Sequence, residues 1–380
     1  MALTDRMLEL HVKRKRSLTE RLLRILLGLW GSYSQWNDED LVRARTAASI
    51  PHVESALREI QKETRQFQFR ALKELGVATP KYRPPIDLYP RSRVDLLEVY
   101  SRPARDAAKV LERGGTPEQA VAAFEKRLDG IVEADVIIAD RDELRRIQDQ
   151  LEADGLTEYS KDEDATLHDD DNATELMSRQ EMEEWIDRFE DDYGREGEPV
   201  VNGERVIGWR RVIRPELSRH GTCGLCVVAA TQWYTRGDLQ AIHHLCKCAT
   251  LPVTKSMDPG LRWNAEDLRR NLDEIYGAGG GTSGKKLKRI RVAVREHGEL
   301  GPMLAYSAKR GWQPVEGFEP YTPPNAAVQK DRLNGRRSEL EATLANLRDR
   351  LDGAGDRSGI DHAIWEIEQS LKELDVRLAA

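Results

Sequence analysis

All four cysteines of this 380-residue chain fall within 26 residues, from Cys223 to Cys248. The rest of the chain must therefore fold by apolar packing and ion pairs alone, and a disulfide-dense secreted scaffold is excluded. The window has two halves. Cys223-Gly224-Leu225-Cys226 comes first, and sixteen residues later comes His243-His244-Leu245-Cys246-Lys247-Cys248. A C-x-x-C knuckle presents two thiolates to one ion, and zinc prefers four such ligands in a tetrahedral array. The ligand set expected here is Cys223, Cys226, His243 and Cys246, with Cys248 able to replace His243, around one structural zinc. C-x-C spacing is less usual than a second C-x-x-C. Disulfides stay open as an alternative, with three pairings for four cysteines.

Composition limits the remaining function classes. The formal net charge is −7, which argues against a general nucleic-acid coat. No run of about 20 apolar residues occurs, so a membrane-spanning helix or membrane anchor is not expected. Near the N-terminus, Leu22-Leu23-Arg24-Ile25-Leu26-Leu27-Gly28-Leu29-Trp30 is apolar but interrupted by Arg24. No small-residue cleavage site follows it. It reads as an amphipathic helix and not as a signal peptide, so the chain is expected to be made in a cytoplasm.

The expected class is mainly α (α+β). Residues 1–155 read as a helical N-terminal domain, with stripes such as Val53, Ala56, Leu57 and Ile60 on one helix face. Pro80, Pro84, Pro85 and Pro90 break it into two blocks. Thr116-Pro117-Glu118-Gln119 has the form of a helix start: Thr116 as cap, Pro117 in the first position and Gln119 closing a capping box. Ala120, Phe124, Leu128 and Ile131 carry that helix inward. Residues 156–200 form an acidic linker and an exposed helix; 161–192 alone holds fourteen Asp/Glu against three Lys/Arg. Residues 201–256 form a small β-containing Cys/His module opened by the β-prone run Val206–Ile213. Residues 257–325 are mixed, with a helix from Ala265 to Tyr276, a Gly-rich turn, a basic helix and a Pro-rich exit. Residues 326–380 form a helical hairpin or coiled coil. Its seams are Leu333, Leu340, Leu344, Leu347 and Leu351, then Ile360, Ile364, Ile367, Leu371, Leu374 and Leu378.

Catalytic motifs are weak. Cys226 and His243 could serve as nucleophile and base, and Cys223–Val227 superficially resembles the signature of papain-like proteases. Leu225 and Val227 depart from that signature, and His243 lies only seventeen residues beyond Cys226 instead of about 130–150. Gly279–Lys285 spells G-x-x-x-x-G-K, but Lys286 stands where a P-loop needs Ser or Thr. No turn glycine accompanies the acidic run, so an EF-hand loop is not expected. The basic segment Lys285, Lys286, Lys288, Arg289, Arg291 and Arg295 reads as an interaction face for acidic protein, with DNA or RNA contact as the alternative.

One family resemblance covers residues 15–305. The run Trp209–Cys226, the Arg236-Gly237-Asp238-Leu239 turn and the His243–Cys248 block resemble the phage Mu F-like (MuF) minor head proteins, closest to those of actinobacterial tailed phages. The family pattern is C-x-x-C, a turn, H-x-x-C-x-C and a proline, matched by Cys223, Cys226, His243, Cys246, Cys248 and Pro252. His244 and Lys247 depart from the Pro and Arg often found there. Tyr100-Ser101-Arg102-Pro103, Gly115–Ala120 and His297–Pro302 also look family-like. The resemblance implies a head-morphogenesis protein at the portal vertex inside the virion, touching portal or major capsid protein, with contact to packaged DNA and ejection with it as further implications. It also keeps open a capsid maturation protease, because genes at this genomic position are sometimes joined to or labelled as such proteases.

Overall fold

A computed structural model describes residues 3–31, 33–81, 91, 94–158, 174–175, 180–184, 186–187, 203–213, 230, 233–234, 248–261, 264, 291–297, 301–306, 326–353 and 357–379. The fold is mainly α with small antiparallel sheets. Four long helices come first: α1 (Leu3–Trp30), α2 (Glu39–Glu74), α3 (Leu96–Glu112) and α4 (Pro117–Ala153). Among the described residues six short strands follow: β1 (Thr174–Glu175), β2 (Gly208–Val212), β3 (Trp233–Tyr234), β4 (Ala249–Val253), β5 (Arg291–His297) and β6 (Gly301–Tyr306). Two helices close the chain, α5 (Ala326–Gly353) and α6 (Ser358–Ala379). The chain divides into two compact units. The first comprises Met1–Arg14, Gln61–Arg83 and Asp140–Pro320; the second comprises Lys15–Ile60, Pro84–Ala139 and Tyr321–Ala380.

Among the described residues, the regular elements of the second unit are all helices. Leu22, Leu26 and Trp30 of α1 are buried with Val53, Leu57 and Ile60 of α2 and with Ala120, Phe124, Leu128 and Ile131 of α4. Trp30, Trp36 and Phe124 form an aromatic knot with ring centroids 5.0–6.0 Å apart, and the Trp30 indole donates to the Ser49 hydroxyl at 3.2 Å. The corner from α3 to α4 follows from sequence. Gly114 adopts a positive φ of 80°, its N–H reaches the Leu111 carbonyl, and the Gly115 N–H reaches that of Val110, a Schellman closure of α3. Thr116 then caps α4. Its N–H donates to Gln119 Oε1 at 2.9 Å, and the Gln119 N–H donates to Thr116 Oγ1 at 3.3 Å, completing the expected capping box. The C-terminal hairpin packs into this core through Leu333, Leu340, Leu344, Leu347, Ile360, Ile367 and Leu374. Arg348 of α5 also bonds Glu368 of α6 at 2.8 Å.

The first unit is mixed. Strand order in one sheet is β3-β2-β4 and in the other β1-β5-β6, with every pairing antiparallel. Leu8 of α1 and Phe67 and Ala71 of α2 pack on Val212, Ala249 and Leu251 of the first sheet. Bridges Val77–Glu204 and Thr157–Val206 tie the lead-in to β2 to the ends of α2 and α4.

Two expectations are corrected here. The acidic stretch does not carry a wholly exposed helix: Met182 and Ile186, one helical turn apart, are fully buried while Glu181, Glu184 and Asp187 stay exposed. The basic segment is not helical at its C-terminal end, because Arg291 and Arg295 lie in strand β5. Val292 and Val294 alternate with Arg291, Ala293 and Arg295, a period of two that suits a strand pairing with β6. The expected helix Ala265–Tyr276 and the glycine turn Gly279–Lys285 lie outside the described residues.

Candidate functional site

Strand register frames the Cys/His window. β2 is the central strand, and its Val212 stands opposite Ala249 of β4, while Gly208 stands opposite Val253. The chain thus leaves β2 and enters β4 at the same end of the sheet. Cys248 sits at that end, half-buried, one residue before β4. β3 pairs with β2 as Arg210–Trp233 and Trp209–Tyr234, so it too is entered from the Val212 end. In chain order the first knuckle falls between β2 and β3, and the second falls between β3 and β4. Cys223, Cys226, His243 and Cys246 themselves lie outside the described residues. Among those described, no three His, Cys, Asp or Glu side chains converge as a metal site would require.

A buried polar clasp holds this sheet. All five residues of β2 are buried, including Arg210 and Arg211. The Arg210 guanidinium donates to Asp258 Oδ2 at 2.6 Å and to the Ala230 carbonyl at 3.0 Å. Asn264 accepts from the Ile213 N–H at 3.0 Å and donates to the carbonyls of Arg211 and Ala230. Burial raises the Asp258 carboxyl above its ordinary value, while Arg210 and the backbone N–H groups of Leu261 and Gly260 oppose that rise. Gly260 packs closely: a Cβ there would meet Val212 Cγ2 at 3.1 Å and Arg210 Cβ at 3.3 Å, so those side chains would have to give way slightly. These bonds tie β2, which precedes the Cys/His window, to Asp258 and Asn264, which follow it. The Arg210–Asp258 pair and the Asn264 amide direct these hydrogen bonds within the pair and to the backbone, and so hold the shape of the sheet.

Of the basic segment, Lys285, Lys286, Lys288 and Arg289 lie outside the described residues. Arg291 and Arg295 occupy alternate positions of β5, opposite Glu175 and Met303.

Sequence reasoning missed the ionic framework of the second unit. Arg336 of α5 is buried and reaches Asp95 at the start of α3 through two nitrogens, 2.7 and 3.0 Å, and Glu54 of α2 at 3.3 Å. Arg377 of α6 bonds the same Glu54 at 2.8 and 3.0 Å. Four helices therefore converge on two carboxylates. Arg91 and Asp135 form another buried pair at 2.8 Å. The signal for Arg336 was a gap: between Leu333 and Leu340 the seam position that should be apolar carries a charge. An open surface hollow of about 430 Å³ is lined by Ser34–Glu39 and Arg350, and Arg350 is already committed to Asp38 and Asp40.

The fold and the clasp together define a mainly helical two-unit protein with a clamped sheet bordering a thiol-rich insert. No family model, curated protein or solved structure matches this chain. Among the described residues no helix is long and apolar enough to cross a membrane.

Proposed function

We propose that this chain is a structural minor head protein of a tailed phage, MuF-like in kind, acting in head assembly at the portal vertex. The observation that carries the reading is the spacing Cys223-x-x-Cys226, His243-x-x-Cys246-x-Cys248 and Pro252, set in a sheet whose register returns both borders of that segment to one end. Cys223, Cys226, His243 and Cys246, with Cys248 able to replace His243, are the four donors for one structural zinc, whose binding would supply folding free energy to a short segment. Ion-paired helices around a continuous core suit a scaffold for partner contacts, with portal or major capsid protein as the partner and packaged DNA as a further contact. In this reading the protein resides inside the virion near the portal and leaves with the DNA.

Exchange of Cys226 or His243 for Ala separates this reading from a capsid maturation protease. Head proteins processed as in wild type, with particle yield reduced in proportion to folded protein, are expected. Accumulation of uncleaved head proteins alongside a normally folded variant would overturn the structural reading.

A further inference from the structure

We propose that His11 is a proton-controlled pin of the first unit: protonated, its ring holds α1 to Glu63 of α2 and Asp140 of α4, and loss of the proton loosens the α1 segment up to Arg14. The ring is buried, 3% exposed, and lies parallel to Phe67 with centroids 4.2 Å apart and planes 8° from each other. Its Nδ1 lies 3.6 Å from Glu63 Oε1 and its Nε2 lies 3.9 Å from Asp140 Oδ1. A carboxylate thus stands off each ring nitrogen. Both separations are ion-pair distances beyond hydrogen-bond range, so a neutral ring gains no charge attraction from either carboxylate, whereas imidazolium places one positive charge between the two. A cation on the face of Phe67 is favoured as well.

The surrounding charges fit this assignment. From α2 the facing charged group is Glu63, whose other oxygen takes Arg14 of α1 at 3.1 Å. From α4 it is Asp140, which also accepts the Thr64 hydroxyl. The sheet packs on Phe67 with the apolar side chains of Val212, Ala249 and Leu251. Burial pushes the Glu63 carboxyl up, but His11 and Arg14 outweigh it and hold Glu63 below the ordinary carboxylate value. Glu63 therefore stays ionised through the range in which a histidine titrates. One turn further on, Arg65 and Arg146 both pair with Glu143 at 3.1 and 3.4 Å. That tie between α2 and α4 does not depend on a histidine proton, whereas the tie to α1 does. The sign follows: stability of the α1 segment is present while the ring is protonated and is lost as pH rises through its titration.

The experiment pairs a titration of the His11 ring by NMR with hydrogen exchange of residues 3–14 between pH 5 and 9.5, corrected for intrinsic rates. Protection of that segment is expected to fall at least tenfold across the ring's own midpoint, with α5 and α6 unchanged. His11→Phe, which keeps the shape but not the charge, should show no such step. Protection that is flat across the midpoint in wild type, or a step that survives in His11→Phe, would overturn the proposal. The wild-type measurement decides alone if the variant does not fold.

Discussion

Removing the Arg336 guanidinium should loosen four helices at once. The side chain is 3% exposed and donates to both Asp95 oxygens and to Glu54. In Arg336→Met the stem is kept and the charge is lost. Glu54, 8% exposed at its side chain, retains Arg377, and Asp95, 24% exposed, retains its capping bond from the Leu97 N–H at 2.8 Å. Breaking a buried pair by deleting one partner costs about 3–5 kcal/mol, and because both carboxylates keep a second partner the lower end, about 3 kcal/mol, applies. That is roughly a 100-fold increase in opening, at about 1.4 kcal/mol per tenfold. Native-state hydrogen exchange followed by mass spectrometry reads it directly in peptides from α3, α5 and α6. Adding Asp95→Asn should recover part of the loss, since Asn caps as well as Asp while carrying no unpaired charge. A change within about fivefold would place Arg336 among exposed ion pairs and refute the reasoning.

Three further outcomes are expected. Thr116→Ala should cost about 1 kcal/mol by opening the capping box of α4, and Thr116→Ser should cost little; thermal unfolding of the two variants checks this. Asp142 is buried, and burial raises its carboxyl above the ordinary value against the opposing pull of Arg141, Arg145 and Arg146. A raised carboxyl makes the fold lose stability as pH rises from the ordinary value toward the folded one. Asp142→Asn should therefore raise the neutral-pH denaturation midpoint relative to wild type and flatten its rise toward acid; a lower midpoint would count against it. Elemental analysis of protein purified without chelator should find about one zinc per chain, the number that closes one tetrahedral site. Intact disulfides and no metal would refute the zinc assignment.

Local rules made much of the helical fold legible. The capping box forms at Thr116, and the stripe Val53–Ile60 and the seam residues Leu333, Leu340, Leu344, Leu347, Ile360, Ile367 and Leu374 are buried where periodicity places them, because each depends on neighbours within one or two turns. The basic helix expected from sequence gives way to strand β5 because Val292 and Val294 alternate with Arg291, Ala293 and Arg295, and only the partner strand Gly301–Tyr306 decides for that pattern. Met182 and Ile186 were submerged in acidic sequence, although an apolar pair four apart is itself a burial signal. The convergence of Glu54, Asp95, Arg336 and Arg377 spans up to 323 residues of sequence, and no local pattern encodes it. At the candidate site the sequence exposed the knuckle spacing, while the clasp of Arg210, Asp258 and Asn264 emerged only from strand register.

The most direct test of the proposed role is quantitative mass spectrometry of purified, DNA-filled particles from cells in which this chain is expressed with its native neighbouring genes. The chain should be retained through density-gradient purification at a few copies per portal and should cross-link to portal or major capsid protein. Its absence from filled particles, with head assembly unimpaired when the chain is deleted, would contradict the account.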